Sequence, residues 1–494
     1  MRTLEIILLV VVTVLPFVKR KILLQFRSNY ILVFLLLLLA LHLLIDGARW
    51  QMFPVYFLLL LVGWRIKAVD ISQPARLNFL RVSGYILFSI FAILAWVLPM
   101  VLPVFDLPEP RGKYEVGTEL IHVKTDRPEK ITEDESDKRE FLCKIWYPSN
   151  AETDDLEGES YIDPSSRAGF ATKYGLPANA LNFLDHVKTF VYPDLPVAEG
   201  TFPVLLFSHG YGSKATGYYA LLTELTSQGY IIINMNHTYE SLGASFPDGR
   251  QKFFDYGYQQ KISEWNAELL DPMRKAFKDG ISYEKRHQIA APAIRNYFEK
   301  DIQGRWAKDM ESVLNLLEEW NSKGPFANKL DLNKIGALGH SVGGGSVGRL
   351  AIQDERIKAA ANLDGIQWGE MIDTTYQIPY LYISADWPAD HEDMNSHVYI
   401  NKSTDYFYET KLLNSGHPNF MDIPFMIPVK ALAGTGDIDP YLGIEIVTKL
   451  VDSFFEQHLL NEEKVNTQNI AKQYEALEMK VHNGDSTHVR EGSF

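Results

Sequence analysis

Cysteine is almost absent: Cys143 is the single one in 494 residues. No intramolecular disulfide can form, and the redox compartment cannot be read from cysteine pairing. Cys143 itself lies in a strand-like run and reads as a core residue. Positive charge is also scarce where it would matter. Residues 1–105 carry ten Lys/Arg against three Asp/Glu, which leaves 38 against 59 in residues 106–494. A basic footprint supplies most of the affinity for nucleic acid, so an acidic body of this kind disfavours such a partner. Two motif classes are missing too. There is no H-E-x-x-H and no cysteine set for a metal, and the glycine-rich stretch 339–345 lacks the G-K-[ST] ending of a phosphate-cradling loop.

Long apolar runs are abundant at the N-terminus. Four segments stand out, about 4–18, 30–46, 51–64 and 83–105, and they are expected to be four membrane-spanning helices. The first and third are short and need tilt or local thinning. A cleaved signal peptide is the rival for the first, but it has no small-residue cleavage site and runs straight into Lys19, Arg20 and Lys21. Those three charges and Arg27 fill one loop; Arg65, Lys67, Arg76 and Arg81 fill another. Both loops are expected to be cytoplasmic, and the remaining loop offers only Arg49 beside Asp46. The alternation puts everything after Phe105 outside the cytoplasm, as a multi-pass protein of the cell membrane. No Asp, Glu, Lys or Arg sits in the middle of a span, which points to an anchor rather than a transporter.

After a stiff, proline-bearing linker at 106–112, Tyr114 to Val123 and Phe141 to Tyr147 read as an antiparallel hairpin. Residues 202–207 form a continuous apolar run of the kind buried on both faces. A helix over Ala215 to Ser227 and a strand from Tyr230 to Met235 complete a strand-helix-strand unit. The rhythm resumes with a helix over 304–321, strands at Ile335 to Leu338, Ile357 to Leu363 and Ile378 to Ser384, and a closing helix from Tyr441 to Leu460. The expected fold is therefore α/β, with a doubly wound, mostly parallel sheet, in a domain spanning 106–460. Residues 242–303 break the pattern with ten large aromatics, among them Phe253, Phe254, Trp265 and Tyr283, and are expected to be a helical cap. Residues 461–494 are polar and read as a dangling tail.

The chain is organised around Gly339-His340-Ser341-Val342-Gly343. This fits the G-x-S-x-G elbow, in which a serine sits on a strained turn between a buried strand and a closely packed helix. A serine hydroxyl is a poor nucleophile, so it needs a base, a group to orient the base, and donors for the oxyanion. His417 is the candidate base. His391 and His397 also lie downstream, while His458, His482 and His488 are poorly placed. Two carboxylates compete for the acid: Asp364, at the end of the strand after the elbow strand, and Asp386, one strand later. Pattern alone leans to Asp386. The oxyanion donors should be the amides of Val342 and of Tyr211, the latter in His209-Gly210-Tyr211-Gly212. A metal at Asp386, Asp390, His391, Glu392 and Asp393 is disfavoured, because such clusters are usually a solvated turn.

Phe207-Ser208-His209-Gly210-Tyr211-Gly212, Gly339-His340-Ser341-Val342-Gly343-Gly344, Asn362-Leu363-Asp364-Gly365 and His417-Pro418-Asn419-Phe420-Met421-Asp422 together resemble the platelet-activating factor acetylhydrolase family. The resemblance covers about 200 to 460. It implies an α/β-hydrolase that removes short or oxidised acyl chains from phospholipids with neither metal nor cofactor. It also implies Asp364 as the acid, which reverses the pattern-only preference. The N-terminal spans, Pro418 and Tyr211 depart from that family. A second resemblance, to cutinase-like polyester hydrolases, rests on 339–345 and would restore Asp386. The expectation is thus a membrane-anchored serine esterase acting on a lipid or other ester, with a non-catalytic sensor or scaffold as the alternative of another class.

Overall fold

Apolar runs without interruption fold as helices in the first part of this chain, and apolar runs of six or seven residues fold as central strands in the second. The computed structural model describes residues 1–18, 28–68, 79–388, 394–399 and 405–483. The loop charges Lys19, Arg20, Lys21, Arg27 and Arg76 lie outside the described residues. So do Asp390, His391, Glu392, Asp393 and His488. The chain divides into two units: residues 1–106 with 177–187 and 425–433, and the remainder.

The first unit holds helices Thr3–Val14, Ser28–Ile45, Phe53–Ala68 and Phe79–Val101. Leu8, Leu9, Val12, Leu35, Leu38, Val55, Leu58 and Ala95 pack together inside it. Its outer face is apolar as well, with Leu44, Leu60 and Trp64 exposed. Of the four expected spans only one, Val82–Val101, is both long and apolar enough among the described residues to cross a bilayer. The first helix ends after 12 residues and the third is 16 long, short of the ~20 that a bilayer core requires. Arg49, in the loop between the second and third apolar segments, is fully buried and paired: its Nε and Nη2 donate to Glu5 Oε1 and Oε2 at 2.7 and 2.8 Å, and its Nη1 to the Leu102 carbonyl at 2.7 Å. The Trp50 indole donates to the Ala180 carbonyl at 2.6 Å and secures the 177–187 segment.

The second unit is built on a ten-stranded sheet among the described residues, in the order β12-β11-β10-β9-β8-β4-β5-β2-β1-β3. The strands are β1 Glu115–Pro128, β2 Lys138–Ser149, β3 Tyr192–Pro193, β4 Phe202–Ser208, β5 Ile231–Asn236, β8 Leu330–His340, β9 Ile357–Leu363, β10 Tyr380–Ser384, β11 Tyr406–Leu412 and β12 Leu477–Asn483. The block from β5 to β11 is parallel, while β2 joins β5 and β12 joins β11 antiparallel. Val204, Leu206, Ile233, Ile335, Ala337 and Ala360 on these strands are buried with Met310, Val313, Val347 and Leu350 from the covering helices. Cys143 is buried in β2 and unpaired.

From β4 the chain runs to β5 on one side and returns as β8 on the other, so the order reverses between β4 and β8. The carboxyl ends of strands at such a switch point are where open α/β sheets place their ligands. Residues 242–303 fold as a short hairpin, β6 Gly243–Ser245 with β7 Gln251–Phe253, then helices Tyr256–Ser263, Leu270–Lys278 and Tyr283–Asn296. The polar C-terminal tail needs correction. Residues 467–471 are helical, and β12 pairs with β11 from Tyr406↔Asn483 to Leu412↔Leu477. Alternation of apolar and charged residues in Leu477-Glu478-Met479-Lys480-Val481 hides a strand from any average of polarity, because an edge strand wets one face.

Candidate functional site

Ser341 joins β8 to the helix Val342–Gln353, at φ 57° and ψ −128°, a backbone region that costs a residue with a Cβ on the order of 1–3 kcal/mol. Small neighbours make the turn possible. A Cβ on Gly343 would run into the carbonyl oxygens of Ser208 and His209, and one on Gly339 would lie 2.6 Å from the Gly343 carbonyl carbon. The loop after β4 also comes near, though less tightly: a Cβ on Gly210 would be 3.4 Å from that of Ser341.

Asp364 follows β9, buried, with φ 53°. Its Oδ2 accepts from His417 Nδ1 at 2.6 Å, while its Oδ1 accepts from the Ala385 amide at 2.8 Å and the Trp387 indole at 3.0 Å. The imidazole is about one-third exposed, so its far edge is open to a reactant. Among the described residues Ser341 Oγ makes no hydrogen bond to His417. Nucleophile and base are often apart before substrate arrives. The ring of His340, the residue before Ser341, has its centroid 4.5 Å from that of His417.

Asp386 is engaged elsewhere. Its Oδ2 accepts from the Asn414 amide at 2.8 Å and its own amide donates to the Ser415 carbonyl, so it shapes the turn that carries His417. His397 is buried against Tyr283, with ring centroids 4.3 Å apart, His458 bonds Tyr408, and His482 bonds Glu409. None of the three meets Ser341.

Tyr211 and Val342 share one apolar cluster with Ile262, Ile302 and Trp306, and Phe254 of the insertion packs on the Tyr211 ring at 5.2 Å. Among the described residues neither the Tyr211 nor the Val342 amide donates a hydrogen bond, leaving two donors beside the serine.

Two supporting networks escaped the sequence reading. The Gly210 amide donates to Tyr218 Oη at 2.9 Å, Tyr218 donates to His340 Nδ1 at 2.9 Å, and His340 Nε2 donates to the His417 carbonyl at 3.1 Å. Only a neutral imidazole can accept and donate in this way. Burial, with the neighbouring His417, holds His340 far below the ordinary histidine range. The second network is itself a Ser-His-Asp array: Ser208 Oγ bonds His237 Nε2, and His237 Nδ1 bonds Asp309 Oδ2, each at 2.9 Å. All three are fully buried, so it is a brace for the ends of β4 and β5 rather than a second reactive centre. Arg139 completes it, donating to Asp309 Oδ2 at 2.6 Å. The only signal in sequence was the position of Ser208 and His237 at the ends of neighbouring strands.

The model of the platelet-activating factor acetylhydrolase, isoform II, family matches residues 101–477. The chain belongs to that family. Platelet-activating factor acetylhydrolase of Canis lupus familiaris is 26% identical over 384 residues, covering 72% of this chain and 77% of the relative. A probable 1-alkyl-2-acetylglycerophosphocholine esterase of Arthroderma benhamiae is 22% identical over 397 residues, covering 73% and 90%. A ferulic acid esterase from Streptomyces cinnamoneus shares the fold, with a TM-score of 0.53 at 21% identity over 72% of this chain and 94% of the other. This member of the family is a carboxylic ester hydrolase with a mostly parallel α/β-hydrolase sheet.

Proposed function

We propose that this acetylhydrolase-family protein is a membrane-anchored, extracytoplasmic serine esterase that cleaves short or oxidised acyl esters of phospholipids. The observation that carries the reading is the 2.6 Å contact of His417 Nδ1 with Asp364 beside a serine held at positive φ. In the first half-reaction Ser341 Oγ attacks the ester carbonyl while His417 Nε2 takes its proton. Charge on the carbonyl oxygen is met by the Tyr211 and Val342 amides. The tetrahedral adduct collapses, the alkoxide leaves with the proton from His417, and an acyl-serine remains. Water then attacks with the same base, freeing the acid and the serine. Asp364 keeps the imidazole in the Nδ1–H tautomer and stabilises its cationic form.

Anchoring is supported by a helical unit that is apolar both inside and out. Orientation is supported by Arg65 and Lys67 in the last turn of Phe53–Ala68, while Glu5 and Arg49 neutralise one another at the end where the chain leaves for the catalytic domain. The 242–303 insertion, which reaches Tyr211 through Phe254, acts as the cap in this reading.

The test is labelling with a fluorophosphonate, followed by peptide mapping. Ser341→Ala should abolish labelling and lower ester turnover by roughly three or more orders of magnitude with the melt unchanged. Labelling retained in that variant, or absent from the wild type, would favour the scaffold reading.

A further inference from the structure

A cavity of about 430 Å³ lies on the catalytic domain between the tip of the β1–β2 hairpin, the helix Glu299–Leu314 and the end of the helix Val342–Gln353. That volume lies in the range of small-molecule sites. Its walls are strongly cationic in a chain whose net charge is −14. Arg127, Arg139 and Arg305 are balanced by Asp309, Glu129 and Glu240. The others are not. Among the described residues the ammonium groups of Lys130, Lys300 and Lys308 form no ion pair, and Arg349, whose Nη1 donates to the Lys300 carbonyl at 3.0 Å, has only the exposed Glu370 as a charged partner, at 3.3 Å. Asp301 is the single carboxylate among the described lining residues. An excess of two to three positive charges remains, the lower figure counting Glu370.

A solvated lysine face would account for charge alone, but two further observations point to a ligand. Arg127 and Arg349, two of the lining side chains, each keep a buried Nε with no acceptor, so the hydrogen-bonding capacity of these guanidiniums is not used up within the fold. The cations also converge from three separate elements on one concavity rather than spreading over a convex surface. Guanidinium and ammonium donors arranged in this way match a phosphorylated group of two or more charges better than a single carboxylate, since phosphate oxygens accept from several directions at once.

We propose that this cavity is an anion site, separate from Ser341, that takes a multiply charged phosphoryl group. The source is either a free polyphosphate or the headgroup of a phosphorylated lipid. The helix Glu299–Leu314 lines the cavity with Lys300 and Lys308 and carries Ile302 and Trp306 into the cluster with Val342 and Tyr211. The anion site and the proposed oxyanion donors therefore share one rigid element.

The experiment uses the full chain in detergent, with pyrophosphate as the probe and chloride at matched ionic strength as the control. Calorimetry should show saturable binding, and the melt should rise with pyrophosphate. Lys130→Glu/Lys300→Glu/Lys308→Glu should weaken binding by roughly tenfold or more, whereas Lys285→Glu/Lys323→Glu/Lys358→Glu, of equal charge change elsewhere, should weaken it by less than about threefold. If the first triple variant misfolds by its melt without ligand, Lys300→Gln/Lys308→Gln takes its place. A second arm places the chain in phosphatidylcholine nanodiscs with or without phosphatidic acid. Competition between phosphatidic acid and pyrophosphate identifies a headgroup site, and binding indifferent to the lipid identifies a free ligand. No saturable binding in either arm, or equal weakening in both triple variants, would overturn the proposal.

Discussion

Asp364 and Asp386 occupy equivalent places in the sequence, each just past a parallel strand, and they differ in what they bind. Asp364 accepts from His417, Ala385 and Trp387, whereas Asp386 is occupied by Asn414. Asp364→Asn should therefore lower kcat on a short nitrophenyl ester by about 10⁴, and Asp386→Asn should leave at least roughly a tenth of it, because the loss of a turn contact is a stability effect of about 1 kcal/mol. The reverse ranking, with intact melts, would move the acid one strand along. A third carboxylate, Asp422, accepts from the Tyr219 and Ala220 amides at 2.8 and 3.1 Å and from Tyr161, and burial pushes it up to about 6. The folded carboxyl thus holds its proton more tightly than the unfolded one. Its contribution to stability is fully present below the ordinary carboxylate value near 4 and is lost as pH rises through about 6. In Asp422→Asn the side chain keeps an acceptor and cannot ionise. The difference in melting temperature, variant minus wild type, should then grow between pH 4 and 7, by the equivalent of about 2–3 kcal/mol. A pH-independent difference would show that Asp422 does not titrate in this window.

At the scale of elements, the elbow depends on how closely a helix can approach the ends of two strands. Gly343 faces the Ser208 and His209 carbonyls with no room for a methyl group. Backbone atoms cannot swing aside, so Gly343→Ala should destabilise by on the order of 3 kcal/mol. It should also lower kcat, because the displaced carbonyls precede Gly210 and Tyr211. A melt within a degree of wild type would refute the packing argument. In the helical unit the fully buried Glu5–Arg49 pair predicts a different asymmetry. Glu5→Gln alone strands the Arg49 guanidinium and weakens the bonds from Arg2, and should cost about 3–5 kcal/mol, while Glu5→Gln with Arg49→Met should recover the part that belongs to Arg49. Denaturation in detergent measures both.

For the whole molecule, the distribution of charge carries the topological prediction. Arg65 and Lys67 end one helix, while at the opposite end of the unit Glu5 and Asp46 stand against Arg2 and Arg49. Protease added to intact cells or right-side-out vesicles should therefore digest residues from Leu107 onward. Protection of that region until permeabilisation would invert the arrangement.

The sequence by itself determined what depends on local order. Uninterrupted apolar runs became helices or central strands, glycine spacing marked the elbow at Ser341, and the strand-helix rhythm specified a mostly parallel sheet. These features are legible because period, turn chemistry and steric bulk act between near neighbours. Residue pattern left open which groups meet across the fold, and the tertiary structure decided it. Asp364 and His417 are 53 residues apart, Ser208, His237 and Asp309 come from three separate elements, and Glu5 finds Arg49 across 44 positions. Nothing in composition distinguishes such partners from solvated charges, because pairing depends on where strand ends and helix faces converge. The edge strand Leu477–Asn483 was hidden for the same reason: hydrogen bonding to β11, rather than its own apolarity, makes it a strand.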